Sequence, residues 1–395
     1  MIHSLTMSQP RRPSICYVVS SEMTVRAFLP GHIAAASERY EVAVVANSAS
    51  RDFLDQLGLQ AAFHSVAIAR QIAPWADLKA LLKLVRLFRA QHFDMIHSVS
   101  PKAGLLAMLA GWLAGTECRI HIFTGQVWAN KKGWKRWLLK QLDRLLAGLA
   151  THVLVDSPSQ RDFLVAEGVV SSAKASVIGV GSICGVDAEK FKPDAEARRC
   201  IREDFGIPES APVLLFLGRL HRDKGIADLI AAFASLSQQF PDAHLLLVGP
   251  DEGGLLALAS AQDAWGKRLH HAPYTDQPAR FMAAADVFCL PSYREGFGMV
   301  VIEAAAAGVP AVASRIYGVT DAIEAGETGL LHEPGDAAGI AAAVAQLIEN
   351  PDLRHAMGEK ARKRALSLFS REASISGLMA YYEKIRPGRS TGGTP

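Results

Sequence analysis

The sequence contains no D-x-D triplet and no C-x-x-C pair, and it has only five cysteines in 395 residues. Cys16, Cys118, Cys184, Cys200 and Cys289 are scattered, which argues against a disulfide framework or a thiolate metal site. Cys16 and Cys289 fall in apolar, strand-like runs and read as small core residues. Histidines with metal-ligand spacing are missing too. Charge of one sign is not in excess: 42 Lys and Arg face 39 Asp and Glu, for a net charge of +3. A total that small gives no reason to expect nucleic-acid binding. Long apolar runs are missing as well, since the most apolar one, Ala103 to Ala114, is too short to span a bilayer. The opening MIHSLTMSQPRRPS lacks the apolar core of a signal peptide and is expected to be a flexible lead-in over residues 1–14. The chain reads as cytoplasmic.

What is present is a large supply of core: half of the residues are hydrophobic, with few aromatics. Abundant Ala, Leu and Val suit a helix-rich α/β protein of two or three domains. Strand-like runs at Ile15–Val19, Glu41–Ala46, Phe93–His97, Arg119–Phe123 and His152–Val155 alternate with helical patterns at Asp77–Gln91, Lys102–Ala114, Trp134–Ala150 and Ser159–Glu167. The alternation predicts a parallel, doubly wound sheet. A polar connector, Gly179 to Pro212, follows. The pattern then restarts with Val213–Leu217, Gly225–Gln239, Ala243–Val248, Leu255–Ala264, Ala279–Ala284 and Val287–Leu290. Two Rossmann-like domains with a cleft between them are expected, over residues 15–185 and 186–369. Pro351 to Ile385 is helical throughout, and residues 370–386 are expected to cross back onto the first domain. The tail from 387 to 395, PGRSTGGTP, reads as disordered.

The chain is organised around Asp286 to Ser314, DVFCLPSYREGFGMVVIEAAAAGVPAVAS. An apolar strand runs into a polar loop, then into a small-residue helix, and out into a second apolar run. In an open parallel sheet that corner holds ligands. Gly296 and Gly298 allow positive φ or a close approach of backbone to a ligand, and the helix start offers amides to an anion. Taken by spacing alone, Glu295 and Glu303 are two acids eight residues apart, which is commonly just solvated surface.

With those residues in view, the chain resembles a GT-B fold glycosyltransferase. More narrowly, it is similar to the large retaining family with an E-x7-E motif, glycosyltransferase family 4, group 1. Here the motif is Glu295 and Glu303 within SYREGFGMVVIEAAAAGVPAVAS, and a second block, Phe216 to Gly225 (FLGRLHRDKG), agrees. In the first half, PKAGLLAMLAGWLAG, THVLVDSPSQRDFL and the later GVD look like bacterial members that build surface polysaccharides or protein glycans. The resemblance implies transfer of a hexosyl or N-acetylhexosaminyl group from a nucleotide-sugar, with UDP the expected nucleotide, and with retention of configuration. A glycan or a polyprenyl-diphosphate-sugar would be the acceptor. By the same resemblance Arg219 and Lys224 hold the diphosphate and Glu303 takes the ribose hydroxyls. Glu295 faces the donor sugar, and the amides around Gly296, Phe297, Gly298, Met299 and Val300 cap the sugar or the distal phosphate. The base would meet backbone at Ala272 to Tyr274.

The charge chemistry agrees with this assignment. Departure of a nucleoside diphosphate builds negative charge, and Arg219 offers a planar fork where Lys224 offers a compact charge. With no D-x-D to hold a divalent ion, these two residues are expected to replace the metal, and no cofactor is expected. The sequence also departs from the family. After the first strand it has Ser20-Ser21-Glu22-Met23-Thr24 where many members have a glycine-rich loop. Ser20, Ser21 and Thr24 are left as candidate phosphate or acceptor contacts. After the fifth strand many members have a histidine; this chain has Thr124-Gly125-Gln126, so Thr124, Gln126 or neither fills that role. His121, inside the strand, reads as a core histidine.

Trp128 to Arg144, WANKKGWKRWLLKQLDR, is basic and rich in tryptophan. It suits either an anionic membrane surface, on the inner face of the plasma membrane, or a helix packed on the sheet with a solvated basic face. Three other functions share parts of this pattern. A dehydrogenase fits poorly, because Gly179-Val-Gly181 lacks the strand–GxGxxG–helix context. A nucleotide-sugar epimerase shares the twin-Rossmann shape, and a non-catalytic sugar- or lipid-binding protein would not need both basic and acidic motifs intact.

Overall fold

The structure is a computed structural model that describes residues 11–69, 73–257 and 268–386. The 387–395 tail, residues 1–10 of the lead-in, and the part of Leu255–Ala264 beyond Ala257 lie outside the described residues.

Seven parallel strands build the first sheet: β1 (Ser14–Val18), β2 (Glu41–Ala46), β3 (Ala62–Ser65), β4 (Met95–Val99), β5 (Cys118–Phe123), β6 (His152–Val155) and β7 (Ala175–Val177). Their order is β3-β2-β1-β4-β5-β6-β7. Six more, β8 (Val213–Leu217), β9 (His244–Val248), β10 (Leu269–Ala272), β11 (Val287–Leu290), β12 (Ala311–Ser314) and β13 (Gly329–His332), form a second parallel sheet in the order β10-β9-β8-β11-β12-β13. The central strands are continuous apolar runs because helices cover both faces of each sheet. Val213 to Phe216 and Leu245 to Leu247, for example, are buried. The two Rossmann-like halves expected from the alternation are both present.

On one face of the first sheet lie α1 (Glu22–Phe28) and α2 (Pro30–Ser37), with α3 (Asp52–Gln56) following β2. On the other, α4 (Pro74–Gln91), α5 (Pro101–Ala114) and α6 (Gly133–Leu149) pack side by side. They bury Leu84, Phe88, Ala107 and Leu146 in a common core. Next to them, α7 (Pro158–Ala166) is capped by Ser157, whose side chain accepts from the Gln160 amide.

The connector contains a helix that was not expected, α8 (Ala195–Asp204). Its sequence, AEARRCIRED, holds few apolar residues among its charges, although Ala197 and Ile201 lie one turn apart and are buried. Arg202 nonetheless lies buried, 2.8 Å from Asp286 and donating to the carbonyls of Ala284, Pro208 and Ala211. The second half therefore begins with α8. It continues through α9 (Ile226–Gln239), α10 (Pro278–Ala284), α11 (Met299–Ala306), α12 (Val319–Ala322) and α13 (Ala337–Glu349).

The C-terminal helical stretch is two helices, α14 (Pro351–Leu368) and α15 (Arg371–Ile385), with Ser370 capping the second through the Ala373 amide. As expected, α15 crosses back. Leu378, Met379 and Tyr382 enter the first half's core beside Ile15, Leu29 and Ile33, and Tyr382 donates to Tyr17 Oη at 3.1 Å.

Candidate active site between the two sheets

Each sheet reverses its strand order once, between β1 and β4 in the first and between β8 and β11 in the second. At such a reversal the loops leave in opposite directions and open a crevice at the carboxyl ends of the strands. Arg219, Lys224, Glu295 and Glu303 belong to the second crevice and Ser20, Ser21 and Thr24 to the first, whereas Thr124 and Gln126 follow β5 and Tyr274 follows the edge strand β10.

In the second half, the loops after β8 and β11 lie together. Lys224 Nζ is 2.6 Å from Glu295 Oε1, and Ser292 Oγ donates to the same oxygen at 2.7 Å. Arg219, at the carboxyl end of β8, pairs with Glu252 instead. Arg294 turns to Asp223 at 3.4 Å. Neither cation assigned to the diphosphate is therefore unpaired, and a bound anion would have to compete with a carboxylate at both.

Gly298 begins α11 at φ 79°, a left-handed conformation that a side chain would strain. The turn lets the helix start immediately after the loop and leaves the Met299 and Val300 amides as donors. Gly296 is needed for close approach. A Cβ there would lie 2.4 Å from the Thr124 carbonyl oxygen and 2.6 Å from Asp156 Oδ2. The partner it approaches is the backbone of the first half. Phe297 is buried edge-on against Phe369, with centroids 5.2 Å apart, so its side chain is core. Met299 Sδ accepts from Ser182 Oγ across the seam at 3.0 Å.

Glu303 sits on α11, and its carboxylate makes no hydrogen bond among the described residues. It keeps some accessible surface. Even so, the protein packed around it pushes its carboxyl up to about 7, despite the opposing fields of Lys190 and Arg371. A carboxylate in that state gains from hydroxyl donors. Tyr274, on the loop after β10, is exposed.

In the first half, Ser100 Oγ donates to Ser20 Oγ at 3.3 Å, joining the ends of β4 and β1. Ser100 has φ 77° and ψ 146°, a costly conformation for a residue with a Cβ. Ser21 and Thr24 hydroxyls lie 3.4 Å apart at the start of α1. The backbone N–H of Gln126 donates to Tyr317 Oη at 3.3 Å and Asn130 donates to Asp223 at 3.2 Å, so the loop after β5 is pinned to the second half. His121 is a core histidine held by Ser98 at 2.9 Å.

The structure divides the basic, tryptophan-rich segment between packed and outward-facing residues. Trp128 is buried, donates to Asp143 at 2.7 Å and stacks on Phe163. Arg136 and Lys140 lie over its ring and pair with Glu167. These residues are core and clamp, because an indole this size is worth more inside than in solvent. What stays outward is Trp134 and Trp137, at 68% and 63% exposure, together with Leu138, Lys131, Lys132 and Lys135. Trp75, at 80%, with Leu78 and Leu82 on α4, extends the exposed apolar surface of the same helical layer. Among the described residues no helix is long and apolar enough to cross a membrane.

Sequence reasoning missed Asp156, Glu252 and Tyr317. Asp156 directly follows β6, so its position at a strand's carboxyl end was the available signal. Glu252 and Tyr317 could be found only from the folded contacts.

Comparison with known proteins finds relatives over most of the chain. The pattern described as "Glycosyl transferases group 1" matches residues 197–364, and that of a "Glycosyl transferase 4-like domain" matches residues 32–181. The chain is 30% identical over 331 residues to the capsular polysaccharide biosynthesis glycosyltransferase CapM of Staphylococcus aureus, covering 81% of this chain and 84% of that one. It is 26% identical over 307 residues to the UDP-Gal:alpha-D-GlcNAc-diphosphoundecaprenol alpha-1,3-galactosyltransferase of Escherichia coli, covering 76% and 78%. Among solved structures, Anabaena HepE in complex with UDP superposes with a TM-score of 0.77 at 19% identity, covering 94% of this chain and 100% of that one.

Proposed function

The chain belongs to the group 1 glycosyl transferases, and from that premise we propose that it transfers a hexosyl or N-acetylhexosaminyl group from a UDP-sugar, with retention, to a growing bacterial surface glycan on a lipid diphosphate. The observation that carries this reading is the cluster at the second switch point: Arg219, Lys224, Glu295 and Glu303 around the loops after β8 and β11. HepE was solved with UDP, and the Escherichia coli relative acts on a diphosphoundecaprenol acceptor.

In this reading Glu303 accepts from the ribose hydroxyls. The diphosphate draws Lys224 and Arg219 from their carboxylate partners, and the two cations offset the charge that builds as the anomeric C–O bond breaks. The bonding electrons leave on the phosphate oxygen. That oxygen then takes the proton of the acceptor hydroxyl attacking from the same face. Glu295 fixes the ring and favours positive character at the anomeric carbon. Arg219 and Lys224 supply the positive charge themselves, so transfer is metal-independent.

The acceptor's lipid anchor gives the outward face of α4 and α6 a purpose. Both helices begin at the cleft edge of the first sheet, so Trp75, Trp134, Trp137 and the lysines from Lys131 to Lys135 flank the entrance. We assign that face to an anionic membrane surface. The test is isotope transfer from UDP-glucose, UDP-galactose and UDP-N-acetylglucosamine to polyprenyl-diphosphate-linked sugars, with and without EDTA. Transfer that survives EDTA supports the reading. Loss of transfer with EDTA sinks the metal-free step, and turnover of the donor without any acceptor favours an epimerase.

A further inference from the structure

The segment from Tyr317 to Asp321 leaves β12 and opens α12 in the second half, yet first-half groups hold it. The Tyr317 ring stacks on Phe163 of α7, with centroids 4.5 Å apart and planes inclined by 20°, and Phe163 stacks in turn on Trp128. One residue later, the Gly318 N–H donates to Ser159 Oγ at 2.7 Å. The Ser159 hydroxyl and backbone N–H both donate to Asp321 Oδ2, the N–H at 3.2 Å.

Ser159 therefore uses its hydroxyl in both senses, accepting from Gly318 and donating to Asp321. It lies in the first turn of α7, so the Asp321 carboxylate occupies the positive end of that helix. Hydrogen bonds to a charged acceptor are the stronger kind. What the clamp supports is the loop that carries Glu295. Gly318, at φ 83°, is pressed onto that loop: a Cβ there would overlap the Gly296 carbonyl and lie 3.0 Å from Phe297 Cα. On the other side of the loop, a Cβ at Gly125 would lie 3.1 Å from the Gly296 nitrogen. The charges of Arg294 and Glu295 both reach Tyr317. Contact thus runs from Ser159 through Gly318 and Gly296 to the residue that bears the motif's first carboxylate.

We propose that Ser159 and Asp321 are positioning residues for Glu295. By clamping Gly318 from the first half, they fix the backbone on which that carboxylate stands. They act through this backbone and not by contact with the donor. Lys224 and Ser292 hold one carboxylate oxygen from within the second half, and the clamp sets where the loop itself lies. The proposal rests on the reading of the cleft as a nucleotide-sugar transfer site.

The experiment is steady-state transfer from the preferred donor among UDP-glucose, UDP-galactose and UDP-N-acetylglucosamine to polyprenyl-diphosphate-linked sugars. Full-length wild type is compared with Ser159→Ala, Ser159→Thr, Asp321→Ala, Glu295→Ala and the double variant Ser159→Ala with Glu295→Ala. Ser159→Ala and Asp321→Ala should each lower kcat about tenfold with the donor KM within about threefold, since a small misplacement of a reacting group costs rate more than binding. Ser159→Thr keeps the hydroxyl and should restore kcat. The double variant should be no slower than Glu295→Ala alone, because the clamp then has no carboxylate to place. Calorimetric UDP affinity within about twofold of wild type shows that a variant has folded. If Ser159→Ala does not fold, Asp321→Ala carries the test, with Asp321→Asn as the variant that keeps an oxygen acceptor. Unchanged kcat in the alanine variants would overturn the proposal while leaving the transferase reading intact. So would a loss confined to KM, an equal loss in Ser159→Thr, or the same further loss on the Glu295→Ala background, which marks a general role in holding the halves together. Failure of wild type to transfer from any donor of the panel brings down the transferase reading and this proposal together.

Discussion

Lys224 Nζ and Glu295 Oε1 lie 2.6 Å apart, joining the loop after β8 to the loop after β11 across the second switch point. The pair is mostly shielded, so it orders both loops before any donor arrives. It also sets the first prediction, because the two glutamates of the motif then do different work. Glu295→Ala should act mainly on turnover, lowering kcat about a hundredfold, as loss of an oriented polar group at the reacting centre does. Glu303→Ala should act mainly on donor binding, raising the donor KM roughly ten- to a hundredfold. Steady-state kinetics with the preferred UDP-sugar separates the two, and near-wild-type constants for both variants would refute the site.

Arg219 and Glu252 form a half-exposed pair, worth at most about 1 kcal/mol. If Arg219 must leave it to reach a diphosphate, Glu252→Gln should tighten UDP binding about two- to fivefold. The gain should shrink as salt is raised. An unchanged or weaker dissociation constant at low salt would mean that Arg219 does not exchange partners.

The second-half corner was readable from sequence because its chemistry is local. Glu295, Gly296, Gly298 and Glu303 lie within nine residues, and Arg219 and Lys224 within six. The strands carried unbroken apolar runs, which fixed the fold class. The first-half wall was not readable, since it is made by tertiary contact. Nothing in the order of residues puts Asp156 behind Gly296 or Tyr317 over Gln126. The place of Trp128 was left open for the same reason. Its neighbours are basic, and only packing shows that Asp143 and Phe163 take it inside. Helix α8 was hidden by a polar sequence whose main buried group is an arginine.

The Glu303 carboxyl, raised to about 7 by burial, gives UDP binding a pH dependence. Ribose hydroxyls donate to the ionised form, so binding should favour deprotonation. Affinity should then rise from pH 6 to pH 8 and level off above. UDP's own terminal phosphate titrates near pH 6, so the diagnostic quantity is the difference between wild type and Glu303→Gln. The variant should keep only the phosphate's share. Identical pH profiles would show that Glu303 does not meet the ribose.

Membrane contact through the cleft-edge face predicts co-sedimentation with vesicles rich in phosphatidylglycerol and little with phosphatidylcholine alone. Each lysine near an anionic surface contributes about 1 kcal/mol. Changing Lys131, Lys132 and Lys135 to Glu should therefore weaken binding roughly a hundredfold or more, and Trp134→Ser with Trp137→Ser should weaken it independently of salt. Equal recovery of wild type and both variants with either vesicle would end the membrane assignment.

Asp156 also makes a prediction about stability. Its folded carboxyl titrates at about 8, against about 3.9 in an unfolded chain. Between those values the folded state binds more protons than the unfolded one, so stability falls as pH rises and the loss is complete above about 8. Glu303 and Asp143, raised to about 7 and about 6 by burial, act in the same direction. The buried histidines act oppositely. His32 is lowered to about 4 and His97 and His121 to about 3, so they add stability as pH rises toward the ordinary histidine value. His64, His152, His244, His270 and His332 are lowered as well, so below about pH 6.5 the histidines oppose the carboxyls, and above that the carboxyls act alone. Stability should therefore drop between pH 6.5 and 8, by no more than about 1.4 kcal/mol per unit for each group. Asp156→Asn cannot ionise, so it should flatten this drop and gain on wild type as pH rises. Urea unfolding at the two pH values measures it, and parallel losses in wild type and variant would mean that Asp156 carries no buried proton.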